Sequence, residues 1–329
     1  MIKIIKIKSL ITQIAILLFI ILSKFTIYAE YAKPKIFINQ LVRHKALDVT
    51  TQGIKDGLKE RGYLENINLD LKVEFAQGDV VLSNQIASKF VNQNPDIVVG
   101  VGTIASQSFL KYTESAKAKL VFTTVTDPLA AGLVNSLKEP GGNVSGVSNF
   151  VPLEPQIEMF KRIKPSIRKL GFLYNPGELN SISLIKKLEE ICPKYDIELI
   201  TISAINTSKV SQNAIKLASM VDAIFVSNDN TALSAITVIL KAANAENIPV
   251  FVSDTDIVKE GAVAALGPNQ YEIGKQTASM IIKIIEGREI GNIPVYFPEK
   301  MELVLNKTAA NKLGIKLSKK IISEAEDLF

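Results

Sequence analysis

From residue 35 onward the chain alternates short apolar runs, rich in Val and Ile, with longer amphipathic ones. KIFINQ (35–40), NLDLKVEF (68–75), DIVVGVG (96–102) and KLVFTTV (119–125) predict strands, and helical periodicity covers about 46–61, 80–92 and 104–112 between them. The stretch 138–155, KEPGGNVSGVSNFVPLEP, is rich in Pro, Gly, Ser and Asn and reads as a loop-rich connection. The alternation then restarts. Strands are predicted over 169–175, 197–203, 222–227, 249–254 and 262–267, and helices over 181–191, 209–220, from Thr231 to about 244, and 271–286. Apolar strands separated by helices build parallel sheets from βαβ units. The expected class is therefore α/β: two Rossmann-like lobes with parallel sheets, joined by a multi-strand hinge and separated by a cleft.

The N-terminus reads differently. Lys3, Lys6 and Lys8 precede an unbroken apolar stretch over 14–22, and TIYAEYA follows Lys24. A basic start, a short apolar core and small residues after it predict a secretory signal over 1–29, with cleavage after Ala29 or Ala32. The apolar run is shorter than the ~20 residues of a membrane-spanning helix, and an uncleaved anchor is the rival reading. Cys192 is the one cysteine of the chain, so neither an internal disulfide nor lipid attachment near the N-terminus is available. The expected location is periplasmic.

Export changes the charge balance. The whole chain carries 38 basic and 33 acidic residues, but four of the lysines lie in residues 1–29, so the mature chain is nearly neutral. Nothing then calls for a nucleic-acid partner. His44 is the sole histidine, and no GxSxG or metal-ligand spacing accompanies it. A helix-start or rim role is expected for it, and neither catalysis nor a cofactor. PGGNVSG fits neither the dinucleotide fingerprint nor the P-loop.

In open parallel sheets, ligands bind beyond the carboxyl ends of the strands, where helix N-termini converge. The predicted strand ends here carry Gln40, Thr103, Asp127, Tyr174 with Glu178, Asn180 and Ser181 after it, Asp229-Asn230, and Ser253-Asp254; Asn269 adds a turn. Ser, Thr, Asn and Asp are also the favoured helix caps. Asp229-Asn230 and Asn180-Ser181 exceed what a cap requires.

NQLVRHKALD (39–48), TVTDPLAAGLV (124–134), PGGNVSGVSN (140–149), GFLYNPGELNS (171–181), VDAIFVSNDN (221–230), IPVFVSD (248–254) and YEIGKQTA (271–278) occur in this order. Together they resemble the ABC-transporter substrate-binding family that includes tryptophan- and tyrosine-binding proteins. The resemblance runs from residue 35 to the C-terminus. Arg43, Lys45 and Ile104 depart from the family pattern at the rim of the first lobe. The resemblance implies a type I periplasmic-binding fold with three crossovers. The lobes are then expected over 33–148 with 269–292 returning, and over 149–268 with 293–329 returning. It further implies a monomer that hands a small amino-acid-like solute to a membrane permease; a ligand-presenting sensor subunit and a sugar- or nucleoside-like ligand are the alternatives.

For a zwitterion, an ammonium needs carboxylate or carbonyl acceptors and a carboxylate needs N–H and hydroxyl donors. Asp229, then Glu178, are the candidates for the ammonium. Asn180 with Ser181, or Thr103 with Ile104 and Ala105, are those for the carboxylate. Gln40, Asp127, Asn230, Ser253, Asp254 and Asn269 are expected around them. Tyr174 and Phe150 are placed either over an aromatic ligand or in the core.

Overall fold

The computed structural model describes residues 33–114 and 118–329. The expected signal over 1–29 lies outside them. Among the described residues no helix is long and apolar enough to cross a membrane.

The first sheet holds five strands: β1 (Lys35–Gln40), β2 (Asp70–Phe75), β3 (Ile97–Val101), β4 (Lys119–Val125) and β5 (Val144–Ser148). Their order is β2-β1-β3-β4-β5, all parallel. Helices α1 (Lys45–Glu60), α2 (Val80–Val91) and α3 (Thr103–Glu114) connect them. β3 is buried along its whole length, as the unbroken apolar run IVVGV requires of a central parallel strand.

The second sheet is larger. β6 (Lys169–Tyr174), β7 (Glu198–Ser203), β8 (Ala223–Val226), β9 (Val250–Val252), β10 (Ala264–Gly267), β11 (Glu302–Leu305) and β12 (Asp327–Leu328) lie in the order β12-β11-β10-β9-β8-β6-β7. The β10–β11 pair is antiparallel; the others are parallel. Around it lie α4 (Leu153–Ile163), α5 (Leu179–Ile191), α6 (Thr207–Ala218), α7 (Asn230–Ser234), α8 (Ile236–Ala245), α10 (Lys307–Lys312) and α11 (Lys319–Ser323). Alternation along β8 sends Ile224 and Val226 into one core and Ala223 and Phe225 into the other. On the Phe225 face, Phe160 stacks on Phe251 with ring centroids 4.4 Å apart.

The long helix α9 (Gln270–Ile285) follows β10 but packs in the first lobe against α1, β4 and β5, where Ile273, Ala278 and Ile281 join the core. Its approach to α1 is close. A Cβ on Gly53 would overlap the carbonyl oxygen of Tyr271, and one on Gly274 would overlap that of Thr50. Ile293 and Val295 also bury in the first core, so the return expected over 269–292 extends through Val295. The chain thus passes between the sheets three times: after Ser148, at Pro268-Asn269 and after Tyr296.

The stretch read as a loop-rich connection contains both β5 and, from Leu153, helix α4. Val144-Ser145-Gly146-Val147-Ser148 is buried at every position, yet its small polar residues give no apolar run. Ser145 donates to Ile293 O at 2.7 Å, and Gly146 lies where any side chain would strike Phe122. This strand is specified by close backbone approach rather than by hydrophobicity.

Candidate functional site

The carboxyl ends of the two sheets meet around a small polar cavity. His44, Ala46, Leu47, Thr103, Thr124 and Gln270 line it from the first lobe; Asn180, Asn228, Asn230, Leu233 and Asp254 line it from the second, with Asn149 at the first passage. The enclosed volume is small, about 10 Å3, of the order of one water. A ligand of amino-acid size enters only if the walls part.

Local structure explains how each residue arrives. His44 stands at the N-cap of α1 in extended conformation and makes no capping bond, which frees its ring to face the second lobe. Ala46 and Leu47 follow in the first turn. Gly102 turns the chain at φ 96°, a conformation glycine tolerates, and Thr103 opens α3 directly afterwards. Thr124 has φ 53° at the point where the β4–β5 register slips. A β-branched residue in the left-handed region is strained by roughly 1–3 kcal/mol, and such strain collects at binding sites. In the second lobe, Asn180, Asn230 and Asp254 each stand at or beside the start of a helical segment.

Three polar atoms on this cavity's residues are buried without any hydrogen-bond partner: His44 Nδ1, Asn180 Oδ1 and Asp254 Oδ2. Buried polar groups in proteins are nearly always bonded. Burial, with the neighbouring charge of Asp256, pushes the Asp254 carboxyl up to about 7; its other oxygen accepts from Asp256 N at 3.0 Å. Burial lowers the His44 pKa to about 4, against the opposing influence of Asn230 and Asp48, so the ring is neutral at pH 7.

Of the residues singled out by sequence, Thr103, Asn180, Asn230 and Asp254 line the cavity. Asp229 and Glu178 do not. Asp229 accepts from Asn175 N at 2.7 Å, Ser181 Oγ at 2.6 Å and Ala232 N at 2.8 Å, and burial and the Glu178 charge push its pKa upward. Glu178 accepts from the backbone and side chains of Asn230 and Thr231 at 2.6–3.0 Å. Both carboxylates are spent on protein donors at the start of α7. Ser181 is engaged by Asp229. Glu178 and Ile104 instead border a neighbouring chamber of about 230 Å3, which Asn230 shares.

The remaining expectations lie elsewhere. Gln40 is buried behind α1, donating to Asp48 Oδ1 and accepting from Thr51. Ala105 is in the first core and Tyr174 packs against the second. Ser253 bridges Ser227 and Gln156. Asn269 caps α9 beside the second passage. Asp127 accepts from Ser183 Oγ at 2.7 Å and lies 3.6 Å from Lys187, a tie between the lobes outside the cavity. Lys187 also covers the Phe150 ring at 4.4 Å. Sequence reasoning noted Asn228 at the end of its strand without naming it as a site residue, and it missed Thr124, Asn149 and Gln270. Asn149 lies inside a quoted motif and Gln270 beside one, whereas the unusual backbone of Thr124 leaves no mark in residue type.

Further bonds join the lobes directly. His44 Nε2 meets Asn230 Oδ1 at 3.2 Å, and Asn228 Nδ2 reaches Thr126 Oγ1 at 3.3 Å. Two mostly parallel α/β lobes, threaded three times and meeting at a small polar cavity, have the type I periplasmic-binding fold. The chain belongs to the ABC transporter substrate-binding protein family, whose model matches residues 35–328.

A tyrosine-binding protein from Clostridioides difficile is 32% identical over 283 residues, spanning 86% of this chain and 81% of that one. The crystal structure of an ABC domain in complex with L-Trp from Streptococcus pneumoniae is 30% identical with a TM-score of 0.86, covering 90% of this chain and 100% of that one. A ligand-free, open structure of a substrate-binding protein with adhesive properties from Clostridium difficile is also 30% identical, over 90% and 99%, yet has a TM-score of 0.68. The bonds across the cleft make the arrangement here a closed one.

Proposed function

We propose that the chain captures a free α-amino acid between its lobes outside the cytoplasmic membrane and delivers it to an ABC permease. The observation that carries this reading is the set of unpartnered buried atoms on the cavity residues His44, Asn180 and Asp254. A carboxylate with one bare oxygen is suited to an ammonium, and Asp254 takes the role that sequence alone assigned to Asp229. The opposite wall is suited to a carboxylate: the first turns of α1 and α3 meet there, and the leading N–H groups of a helix have no intrahelical partner. Ala46, Leu47 and Thr103 mark those turns.

The tyrosine-binding relative and the L-Trp complex support aromatic amino acids as the first to try. The basic and apolar pattern of residues 1–29 supports export. A thermal-shift panel of the twenty amino acids against common sugars and nucleosides tests the reading, because a ligand bound only by the native state raises Tm. An L-amino acid is expected to give the largest rise. A response confined to sugars or nucleosides overturns the proposal.

A further inference from the structure

Building on that reading, we infer that the cavity recognises the three hydrogens of a primary ammonium group, with His44 Nδ1 as one acceptor and Glu178 as the residue that positions it from the opposite lobe.

The assignment follows from which atoms can donate. Both Glu178 oxygens face only donors. Asn230 N at 2.9 Å, Asn230 Nδ2 at 2.6 Å and Asn180 Nδ2 at 3.2 Å address Oε2; Thr231 N at 3.0 Å and Thr231 Oγ1 at 2.9 Å address Oε1. This fixes the Asn230 amide with its NH2 toward the carboxylate and its oxygen toward His44. Asn230 Oδ1 can only accept, so the proton of the neutral imidazole is on Nε2. His44 Nδ1 is then a bare lone pair. The same logic fixes Asn180, whose Nδ2 donates to Asn228 O at 2.7 Å and to Glu178, leaving Oδ1 bare. Asp254 Oδ2 is the third unpartnered atom.

With Asp254 ionised all three are acceptors, and their residues line one cavity of about 10 Å3. A hydroxyl brings one hydrogen and a water two. A primary ammonium brings three and a positive charge. Asn180 and Asp254 belong to the second lobe and His44 to the first, so the third acceptor arrives only when the lobes meet. Glu178 touches no ligand in this scheme; it acts through Asn230.

His44 is the only histidine in the chain, so 15N-histidine labelling of the whole exported protein gives one pair of ring signals to read. At saturation with L-tryptophan or L-tyrosine at pH 7, the closed form is expected to carry its imidazole proton on Nε2. Saturation with L-tryptophan or L-tyrosine should move the Nδ1 signal toward hydrogen-bonded values. In Glu178→Gln the opposite tautomer should become populated, a change that a purely structural role does not require. Calorimetry adds a second readout. N-methyl-L-tryptophan, with one hydrogen fewer, should bind about tenfold or more weakly than L-tryptophan to the wild type, and the gap should close to within about threefold in His44→Phe. A protonated Nδ1 at saturation, an Nδ1 signal unmoved by ligand, or equal affinity for the two tryptophans overturns the inference while leaving amino-acid binding intact. Failure of every L-amino acid to bind overturns both.

Discussion

His44 and Asn230 are 186 residues apart in sequence and 3.2 Å apart in space, joining the start of α1 to the start of α7 across the cleft. Replacing Asn230 with Leu leaves the buried imidazole N–H without an acceptor, at a cost of about 1–3 kcal/mol to the closed form. The ligand-free variant is expected to show a larger radius of gyration than wild type in small-angle scattering. Identical scattering curves would show that this bond does not hold the lobes together.

Asp254→Asn separates binding from stability. The amide removes a buried carboxylate with one unpartnered oxygen, so the ligand-free variant should melt at the same temperature as wild type or higher at pH 8. Affinity for the amino acid should fall by about ten- to a hundredfold, in line with about 1.5–3 kcal/mol for a hydrogen bond to a charged group. Calorimetry and differential scanning fluorimetry on one preparation read both. Parallel loss of affinity and Tm contradicts the assignment.

Asp229→Ala should behave in the opposite way. It removes the cap of α7 and strips Asn175 N and Ser181 Oγ of their acceptor, so the expected effect is a loss of about 2–4 kcal/mol in stability. Urea unfolding measures it. A variant of wild-type stability with weakened binding would return the ammonium to Asp229.

The pH dependence has a defined sign. Burial raises the Asp254 pKa from 3.8 to about 7 in the closed fold, so the native state retains a proton that the unfolded chain has released. Its contribution to stability is present below about pH 4 and is lost as pH rises toward 7. His44 works the other way: with its pKa lowered from 6.5 to about 4, it costs stability as pH falls through that window. An ammonium ligand needs Asp254 ionised, so affinity should weaken by up to about tenfold per unit below pH 7. Titrations at pH 6 in buffers of different ionisation enthalpy should reveal proton release on binding. A flat affinity from pH 5 to 8 contradicts it.

Much of this architecture is legible in the chain. Runs such as IVVGV and AIFV form strands within a residue or two of their apolar limits, because a strand covered on both faces needs hydrocarbon at every position. β5 escaped because Ser145 and Gly146 are chosen for contact distance, which hydropathy does not register. The rule that ligands gather at strand ends pointed to Thr103, Asn180, Asn230 and Asp254, all of which line the cavity. It could not rank the carboxylates. Asp229 and Asp254 both follow a buried strand and both cap a helical segment; the difference is that Asp229 has both oxygens engaged and Asp254 only one. That depends on the neighbours supplied by other segments. The role of His44 likewise depends on Asn230, far away in sequence.

The glycine contact between α1 and α9 also governs how the jaws can move. Gln270 begins α9 immediately beyond the second passage, but with Gly274 pressed against the backbone at Thr50 and Gly53 against that at Tyr271, the two helices travel as a single strut. Flexing at Pro268-Asn269 therefore swings the opposing jaw while Gln270, Ala46 and Leu47 keep their mutual spacing. The wall that the first lobe gives to the cavity is thus held rigid by the two helices, whatever the separation of the jaws.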